Sequence, residues 1–434
     1  MRLLQTSALS IALAAFSLGL VLPASASAQS REDKKKAEQS SGPKISLSKG
    51  FQNGAVEAQK LVQASDFAGA KAKLDEITPL ATKADDNYFL GSLLLQTGIG
   101  LKDEAAQRRG LETILASGMA PAAEAAKFHY FVGQFAFNAK EYPKAREHFA
   151  KAIEGNYGGP TTDVLMANSY FNEATTHVVN NQFNETGKAL VLQGLPHLKS
   201  AIAKQEASGQ PVDASWYNKG LTMAVVAKSP DAAEWTKLSL SKGGSAESWR
   251  LVLREFQTAN QTMTRDENLD LMRLMAATKS LQGDYSYNEY AEAANRAGLP
   301  GEVKSLIDSG RASGQLKAGS LSEIYQVANA SVAADRASLP ASEKSAASAA
   351  TGKPAANTAN ALMGYGDNAK AIQLYNLALQ KGGVDADEVN TRLGIALARS
   401  GDKAGAAAAF AKVGGTGARK KIADLWAVWV SNAA

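Results

Sequence analysis

Apolar residues recur at spacings of three and four along most of the chain after residue 50. Val56 and Leu61 lie in one segment, and Ala70, Leu74 and Ile77 in the next are spaced by four and three residues. This period places the apolar side chains on one face of an α-helix. Asp66 lies between the two segments, where a carboxylate can accept hydrogen bonds from the first amides of the following helix. The pattern predicts short amphipathic helices joined by tight turns.

Composition favours helices over sheets. The 434 residues are 45% hydrophobic but only 7% aromatic, and alanine is far more frequent than the β-branched residues valine and isoleucine. Alanine has the highest helix propensity, whereas β-branched residues favour strands. A chain of this length forms two or three domains or one long array. We therefore expect an all-α protein with a sizeable core.

Small and large residues return at fixed offsets in the stretch 127–159 and twice between 359 and 413. Each series places alanine four positions before an aromatic residue and a small residue three positions after it. The residues of the pattern are Gly133, Ala145, Phe149 and Ala152; Ala371, Tyr375 and Ala378; and Gly394, Ala406, Phe410 and Val413. A repeat at a fixed period indicates stacked helix pairs.

This pattern resembles the tetratricopeptide repeat, a pair of antiparallel helices of about 34 residues. In that family the small residues let helix backbones approach, and the aromatic residue fills the space between successive pairs. The resemblance implies a tetratricopeptide-like α-solenoid of antiparallel helix pairs with a divergent middle region. In the middle region Trp216, Gly220 and Ala232 fit the family positions, but the following aromatic residue has shifted to Trp235.

The N-terminus has the features of a secretory signal. Arg2 precedes the apolar run 9–22, and the small residues around Ala26 and Ala28 predict cleavage after Ala28. The chain has no Cys, so a lipid anchor on a Cys at the cleavage site is excluded. We expect a periplasmic or secreted protein without an integral membrane segment after cleavage; an uncleaved anchor helix is the alternative.

The predicted organisation follows from these patterns and from composition. Residues 336–355 are rich in Ser, Ala and Pro, which is typical of a loop or linker or of a weak helix broken by Pro340 and Pro354. The predicted segments are a signal peptide (1–28), a flexible tether (29–50), N-terminal repeats (51–210), a divergent helical region (211–335), a linker (336–355) and C-terminal repeats with a capping helix (356–434).

Motifs for catalysis or cofactor binding are absent from the sequence. The four histidines do not form a two-histidine metal signature, and the glycines of 364–369 do not follow a strand, as a dinucleotide site requires. We therefore expect no cofactor, no metal and no enzymatic activity. An enzyme with a site between helices is the alternative, and a deep polar cavity in the middle third would favour it.

The expected function is that of a scaffold in the periplasm. The resemblance implies that the first helix of each pair lines a concave groove for a peptide or protein partner. The residues that it places in this groove are Lys127, Tyr130, Gln134, Phe137, Asn360, Met363 and Thr391. The alternative for each is packing against a neighbouring repeat.

A second functional class is a cell-envelope factor that recognises peptidoglycan or lipid. The basic residues of the tether and the aromatic residues Trp216, Tyr217 and Trp235 are its sequence support. The formal net charge of +5 is spread along the chain, which permits a weak contact with an anionic envelope surface. It does not indicate a nucleic-acid partner, because that requires a clustered basic face.

Overall fold

The computed structural model describes residues 45–432, except for the side chain of Ala123. The predicted signal peptide and most of the predicted tether lie outside the described residues. The described chain contains twenty α-helices, which pack in adjacent pairs, and one two-stranded hairpin. The prediction of an all-α, tetratricopeptide-like arrangement of antiparallel helix pairs is confirmed. The chain divides after Gln210 into two compact units.

The first unit is described from residue 45. Its helices are α1 (Lys49–Gln63), α2 (Phe67–Ile77), α3 (Ala84–Leu101), α4 (Glu104–Ala116), α5 (Ala122–Asn138), α6 (Tyr142–Glu154), α7 (Gly159–Ala174) and α8 (Glu185–Ala207). A short hairpin of β1 (Val178–Val179) and β2 (Gln182–Phe183) precedes α8. Because α1 already includes residues 49 and 50, the predicted tether ends earlier than position 50.

The turns within helix pairs repeat one local design. Lys102 adopts a left-handed backbone conformation with a φ of 55°, and the next residue, Asp103, caps α4 by accepting a hydrogen bond from the Ala106 amide at 3.1 Å. Asp66 caps α2 in the same way after Ser65, whose φ is 61°. The left-handed residue reverses the chain, and the carboxylate satisfies an amide that has no partner inside the helix.

Close packing in the first unit depends on the glycine and aromatic positions of the repeat. Gly133 on α5 faces the ring of Phe149 on α6, and a Cβ atom at residue 133 would lie 2.7 Å from Cδ1 of that ring. Ala145, Phe149 and Ala152 are fully buried. The ring therefore fills the space that the missing side chain leaves between the two helices.

The second unit comprises twelve helices among the described residues. They are α9 (Ala214–Val226), α10 (Ala232–Ser241), α11 (Ala246–Ala259), α12 (Arg265–Ala277), α13 (Gly283–Arg296), α14 (Pro300–Ala312), α15 (Ser322–Ser348), α16 (Lys353–Gly364), α17 (Asn368–Lys381), α18 (Ala386–Ser400), α19 (Lys403–Phe410) and α20 (Ala418–Asn432). Most of its buried apolar residues form one cluster that extends from Leu221 to Val430.

The same glycine–aromatic contact occurs at two of the repeat positions in the second unit. A Cβ atom at Gly394 would lie 2.4 Å from Cε1 of Phe410, as the repeat pattern predicts. At Gly220 a Cβ atom would lie 2.1 Å from Cζ3 of Trp235, which is fully buried. The aromatic residue that has shifted in the sequence thus still fills the space opposite its glycine, because the larger indole reaches it from a displaced position.

The segment 336–355 is mostly helical. Helix α15 runs for 27 residues through Pro340 and ends at Ser348, and α16 begins at Lys353. Pro354 lies in the first turn of α16, where a missing amide donor costs nothing. Of the two alternatives, the structure therefore has helix rather than a linker over most of this segment, and the compact units do not separate there.

Helix α20 joins the two ends of the second unit. It packs on α18 and α19, as expected of a capping helix, but also on α10 and α12. Trp426 of α20 is fully buried, and its Nε1 donates a hydrogen bond of 3.1 Å to the backbone oxygen of Asp270 in α12. Asn432 donates to the backbone oxygen of Leu240 in α10. The second unit is therefore closed by its C-terminal helix rather than left open as a linear stack.

Candidate functional site

The four predicted groove residues of the first unit lie along α5. Lys127, Tyr130, Gln134 and Phe137 are all half-buried. Their spacing of three or four residues places them on one side of the helix. Lys127 forms an ion pair with Glu124 at 3.6 Å, within the same helix. The structure therefore presents these side chains as one stripe with partial access to solvent, which we call the α5 stripe.

Part of the α5 stripe is used for packing. The ring of Tyr130 packs edge-on against Tyr157 with centroids 5.4 Å apart, and the ring of Phe137 packs against Tyr142 at 5.8 Å. Gln134 Nε2 donates to the Tyr130 hydroxyl at 2.9 Å. The Gln134 Oε1 atom is buried and has no hydrogen-bond partner among the described residues, an arrangement that costs free energy of desolvation.

The three predicted groove residues of the second unit do not form such a stripe. Asn360 is half-buried, and its Oδ1 accepts a hydrogen bond of 2.6 Å from the Tyr375 hydroxyl. Met363 is 1% exposed. Thr391 is fully buried, and its hydroxyl donates to the backbone oxygen of Asp387 at 2.7 Å. Thr391 is therefore corrected from a groove position to an interior one.

The burial of Thr391 has a structural cause in α18. Eight consecutive residues of this helix, from 389 to 396, are buried, whereas a helix at the surface of a solenoid keeps one side in water. Helices α17, α19 and α20 surround it. Packed among these neighbours, α18 has no accessible side at Thr391, where the family resemblance places the groove.

Two histidines face each other in the first unit. His129 Nδ1 on α5 and His148 Nδ1 on α6 are 2.9 Å apart, and the ring centroids are 5.1 Å apart. The two nitrogens therefore lie between the rings, as in a hydrogen bond between two neutral imidazoles. Burial, and next the neighbouring His148, lowers the pKa of His129 to about 4; burial also lowers the pKa of His148. Within residues 45–432 no group of three or more potential ligands could hold a metal ion.

A buried cluster of charges crosses the second unit and was not predicted. The carboxylate of Asp270 on α12 is fully buried and accepts hydrogen bonds from Arg273 at 2.7 Å, from Arg392 of α18 at 3.3 Å and from Arg419 of α20. Burial alone would raise the pKa of Asp270, but the three guanidinium groups outweigh it and lower the pKa. Asp270 is therefore ionised and joins three helices.

Arg273 extends this cluster to α14. It is fully buried and binds both carboxylate oxygens of Glu302, with Nε at 2.8 Å and Nη2 at 2.6 Å. The Tyr290 hydroxyl donates to the same carboxylate at 2.6 Å. Burial raises the pKa of Glu302, but Arg273 outweighs it and lowers the pKa to about 2. A carboxylate held in this way is a poor proton donor or acceptor at neutral pH.

Glu302 also lies in the wall of a cavity of about 490 Å³ within the second unit. Residues from α12 to α14, α16 and α18 line it, and they mix apolar, hydroxyl and charged side chains. Arg399 and Lys279 contribute cations, and Met363 contributes part of the apolar wall. This volume is in the range of small-molecule sites. Of the predicted groove residues, only Met363 lies in this cavity.

The sequence offered little signal for this cavity or for the charge cluster. Asp270 and Arg392 are separated by 122 positions, and Asp270 and Arg419 by 149. No local spacing connects them. The one available signal was the presence of two charged residues, Asp270 and Arg273, in the largely apolar run NLDLMRLM (268–275). If a helix with this sequence is buried on all sides, both charges lie in the protein interior.

Comparison with known proteins adds little to this description. No family model matches the chain, and no curated protein matches it. Among solved structures, a chain of the "Crystal structure of APC/C hetero-tetramer Cut9-Hcn1" is similar over 84% of this chain and 86% of that chain, with 10% sequence identity and a TM-score of 0.17. A likeness with this TM-score carries no argument, so the tetratricopeptide-like character rests on the helix pairs of the chain itself.

Two further observations bear on function. Among residues 45–432, no helix combines the length and the apolar character that crossing a bilayer requires. Of the aromatic residues that support glycan or lipid recognition, Trp235 is fully buried and Tyr217 is 3% exposed. Those two side chains therefore belong to the core, and they do not support recognition of an envelope glycan or lipid.

Proposed function

We propose that this protein is an exported scaffold that binds a protein or peptide partner along the first unit, with the α5 stripe as part of the binding surface. The observation that carries the proposal is that helix α5 has one side packed against α6 and another side that is partly accessible. Gly133 and the buried side chains hold α5 against α6, whereas Lys127, Tyr130, Gln134 and Phe137 remain half-accessible. A tetratricopeptide-like fold supports partner binding because stacked helix pairs present an extended surface.

The chemistry of the α5 stripe suits a partner segment with apolar and amide groups. Two aromatic rings supply contact area, and the Gln134 amide and the Lys127 ammonium supply hydrogen-bond donors. The unpartnered Gln134 Oε1 is an acceptor that a partner's backbone amide would satisfy after a small rotation of the side chain. Binding would then remove a desolvation cost that the free protein carries.

Export is the second part of the proposal, and it rests on the N-terminal sequence. Residues 1–28 have the charge, apolar run and small-residue cleavage site of a secretory signal. Fusion of 1–40 to a reporter that is active only outside the cytoplasm tests this part. We expect activity and cleavage after Ala28; a reporter that stays inactive, or that remains attached to the membrane, contradicts a periplasmic or secreted protein.

The scaffold is tested by site-specific photo-crosslinking in intact cells. A photoreactive phenylalanine at position 137, on the stripe, should give a discrete protein adduct, and the same residue at position 147 of α6 should not. The second variant is a matched control because Glu147 is exposed and lies outside the stripe. Tyr130→Ala in the Phe137 variant should weaken the adduct. Equal adducts at both positions, or none at either, would contradict the proposal.

A further inference from the structure

The cavity of about 490 Å³ in the second unit contains polar groups that have a distant protein partner or none. Arg399 approaches Glu302 only to 3.9 Å, beyond hydrogen-bond distance, and its side chain is 27% exposed. Among the described residues, Lys279 forms no ion pair. In the same part of the chain, the hydroxyls of Ser305 and Ser309 make no hydrogen bond to protein. The cavity wall thus offers a guanidinium, an ammonium and two hydroxyls to a guest molecule.

The charge of these groups favours an anion. Glu302 is the one carboxylate among the lining residues, and both of its oxygens are bound by Arg273, a cation that lies behind it in the interior. Its negative charge is therefore neutralised from the protein side. The Arg399 and Lys279 cations remain without an equivalent partner, so an entering carboxylate meets an excess of positive charge.

The rest of the wall is apolar. Leu281, Leu306 and Met363 line the cavity beside the polar groups, and all three are largely buried. An apolar body placed against them would leave water, which stabilises a complex in proportion to the area removed. The cavity therefore pairs a site for one charged group with a site for an uncharged body.

We propose that the second unit binds a small carboxylate with an apolar body in this cavity, with Arg399 as the group that holds the carboxylate. Arginine suits this role because its planar fork binds both oxygens of a carboxylate at once. The ligand is a free small molecule, and this site is separate from the partner surface proposed for the first unit. The two proposals therefore stand or fall independently.

Binding is tested with matched acids and amides. The full chain is titrated with N-acetylglycine, N-acetylleucine and N-acetylphenylalanine and with the amide of each, and binding is followed by calorimetry and ligand-observed NMR. We expect at least one apolar acid to bind about tenfold more tightly than its amide, since a lost charge-assisted hydrogen bond costs a factor of this size. Equal affinity of each acid and its amide, or no binding of any acid, overturns the proposal.

Variants of the chain identify the site. Arg399→Gln should abolish the preference for the acid, and Arg399→Lys should retain part of it, because the charge stays while the fork is lost. Arg109→Gln is the matched control, since Arg109 is an exposed arginine of the first unit. Ser309→Phe, which adds a large side chain to the cavity wall from α14, should reduce binding of acids and amides alike. An acid preference that survives in both Arg399→Gln and Ser309→Phe places the ligand elsewhere and overturns the assignment.

Discussion

The two units use the same helix pairs but complete their cores differently. In the first unit, buried apolar residues form separate clusters, each shared by neighbouring helices; one of them extends from Phe51 to Leu94 and another from Tyr88 to Phe135. In the second unit one large cluster extends from Leu221 to Val430 and includes most of the buried apolar residues, and α20 contacts helices near the start of the unit. The difference shows that one repeat design supports both local stacking and closure, depending on where the last helix packs.

The two units also contain ion pairs that differ in burial. Arg109 and Asp75 in the first unit form an exposed ion pair at 3.0 Å, whereas Arg273 in the second unit is fully buried between two carboxylates. The chain also offers a separate probe for each unit. All five tryptophans lie after residue 210, and all four histidines lie before it. Tryptophan fluorescence therefore reports the second unit, and histidine NMR signals report the first.

The largest expected effect comes from removing the buried arginine. Arg273→Met leaves Asp270 with fewer donors and Glu302 without its main partner, and breaking a buried ion pair in this way costs about 3–5 kcal/mol in the free energy of unfolding. Urea unfolding followed by tryptophan fluorescence measures this loss. An unchanged midpoint would show that the second unit does not depend on its buried charges.

The matched control is Arg109→Met, which breaks the exposed pair of the first unit. Such pairs contribute about 0–1 kcal/mol, and the tryptophan curve should not move. If Arg109→Met shifts that curve as Arg273→Met does, the two units unfold together and the comparison between them fails.

A smaller effect is expected from filling the space opposite the aromatic residues. Gly220→Ala places a Cβ atom 2.1 Å from Trp235, and Gly133→Ala places one 2.7 Å from Phe149. Overpacking of this kind costs about 1–3 kcal/mol. In thermal unfolding, Gly220→Ala should lower the melting temperature reported by tryptophan fluorescence. Gly133→Ala should lower only the melting temperature reported by the histidine signals.

The control for these substitutions is Gly50→Ala. Gly50 lies in α1, and a Cβ atom there would meet no heavy atom within 4 Å. Gly50 lies in the first turn of α1, where the preference of a helix for alanine over glycine is small, so this variant should be as stable as the parent or slightly more so. Destabilisation by all three alanines would mean that glycine is required for backbone reasons rather than for close packing.

The smallest predicted difference is in how much stability each unit loses in mild acid. The folded-state pKa of His129 is about 4, below the value of about 6.5 for an unfolded chain. Between these values the unfolded state binds more protons, so the first unit loses stability as pH falls from about 6.5 towards 4. Glu302 has a folded-state pKa of about 2, so its contribution to the second unit is complete above about 4.3 and is lost only below that pH.

Thermal unfolding at pH 7.5 and pH 5 tests this order. We expect the melting temperature reported by histidine signals to fall on acidification more than the one reported by tryptophan fluorescence. His129→Gln should reduce the pH dependence, and His177→Gln, at a half-buried histidine outside the pair, should leave it unchanged. An equal fall of both probes in the parent protein would contradict the assignment of the effect to the histidine pair.

Contacts within one helix pair could be predicted from the sequence, and contacts between distant pairs could not. Gly133 and Phe149 are 16 residues apart, so their repeated offset reveals the contact directly. Thr391 was assigned to a groove by the family resemblance, but its accessibility depends on the helices that pack around α18, whose positions no local pattern encodes. The cavity depends in the same way on α12, α14, α16 and α18 meeting at one place.

Closure by α20 also determines when the second unit can finish folding. The Asp270 backbone oxygen has no Trp426 donor until that residue has been synthesised, 156 positions later in the chain. This takes on the order of ten seconds at a synthesis rate of 5–20 residues per second. During this interval the apolar face of α12 and the charges beside it lack their final partners. The first unit, whose contacts are shorter in sequence, can assemble as the chain emerges. Nascent chains that end before α20 should therefore depend on chaperones for their second unit and not for their first.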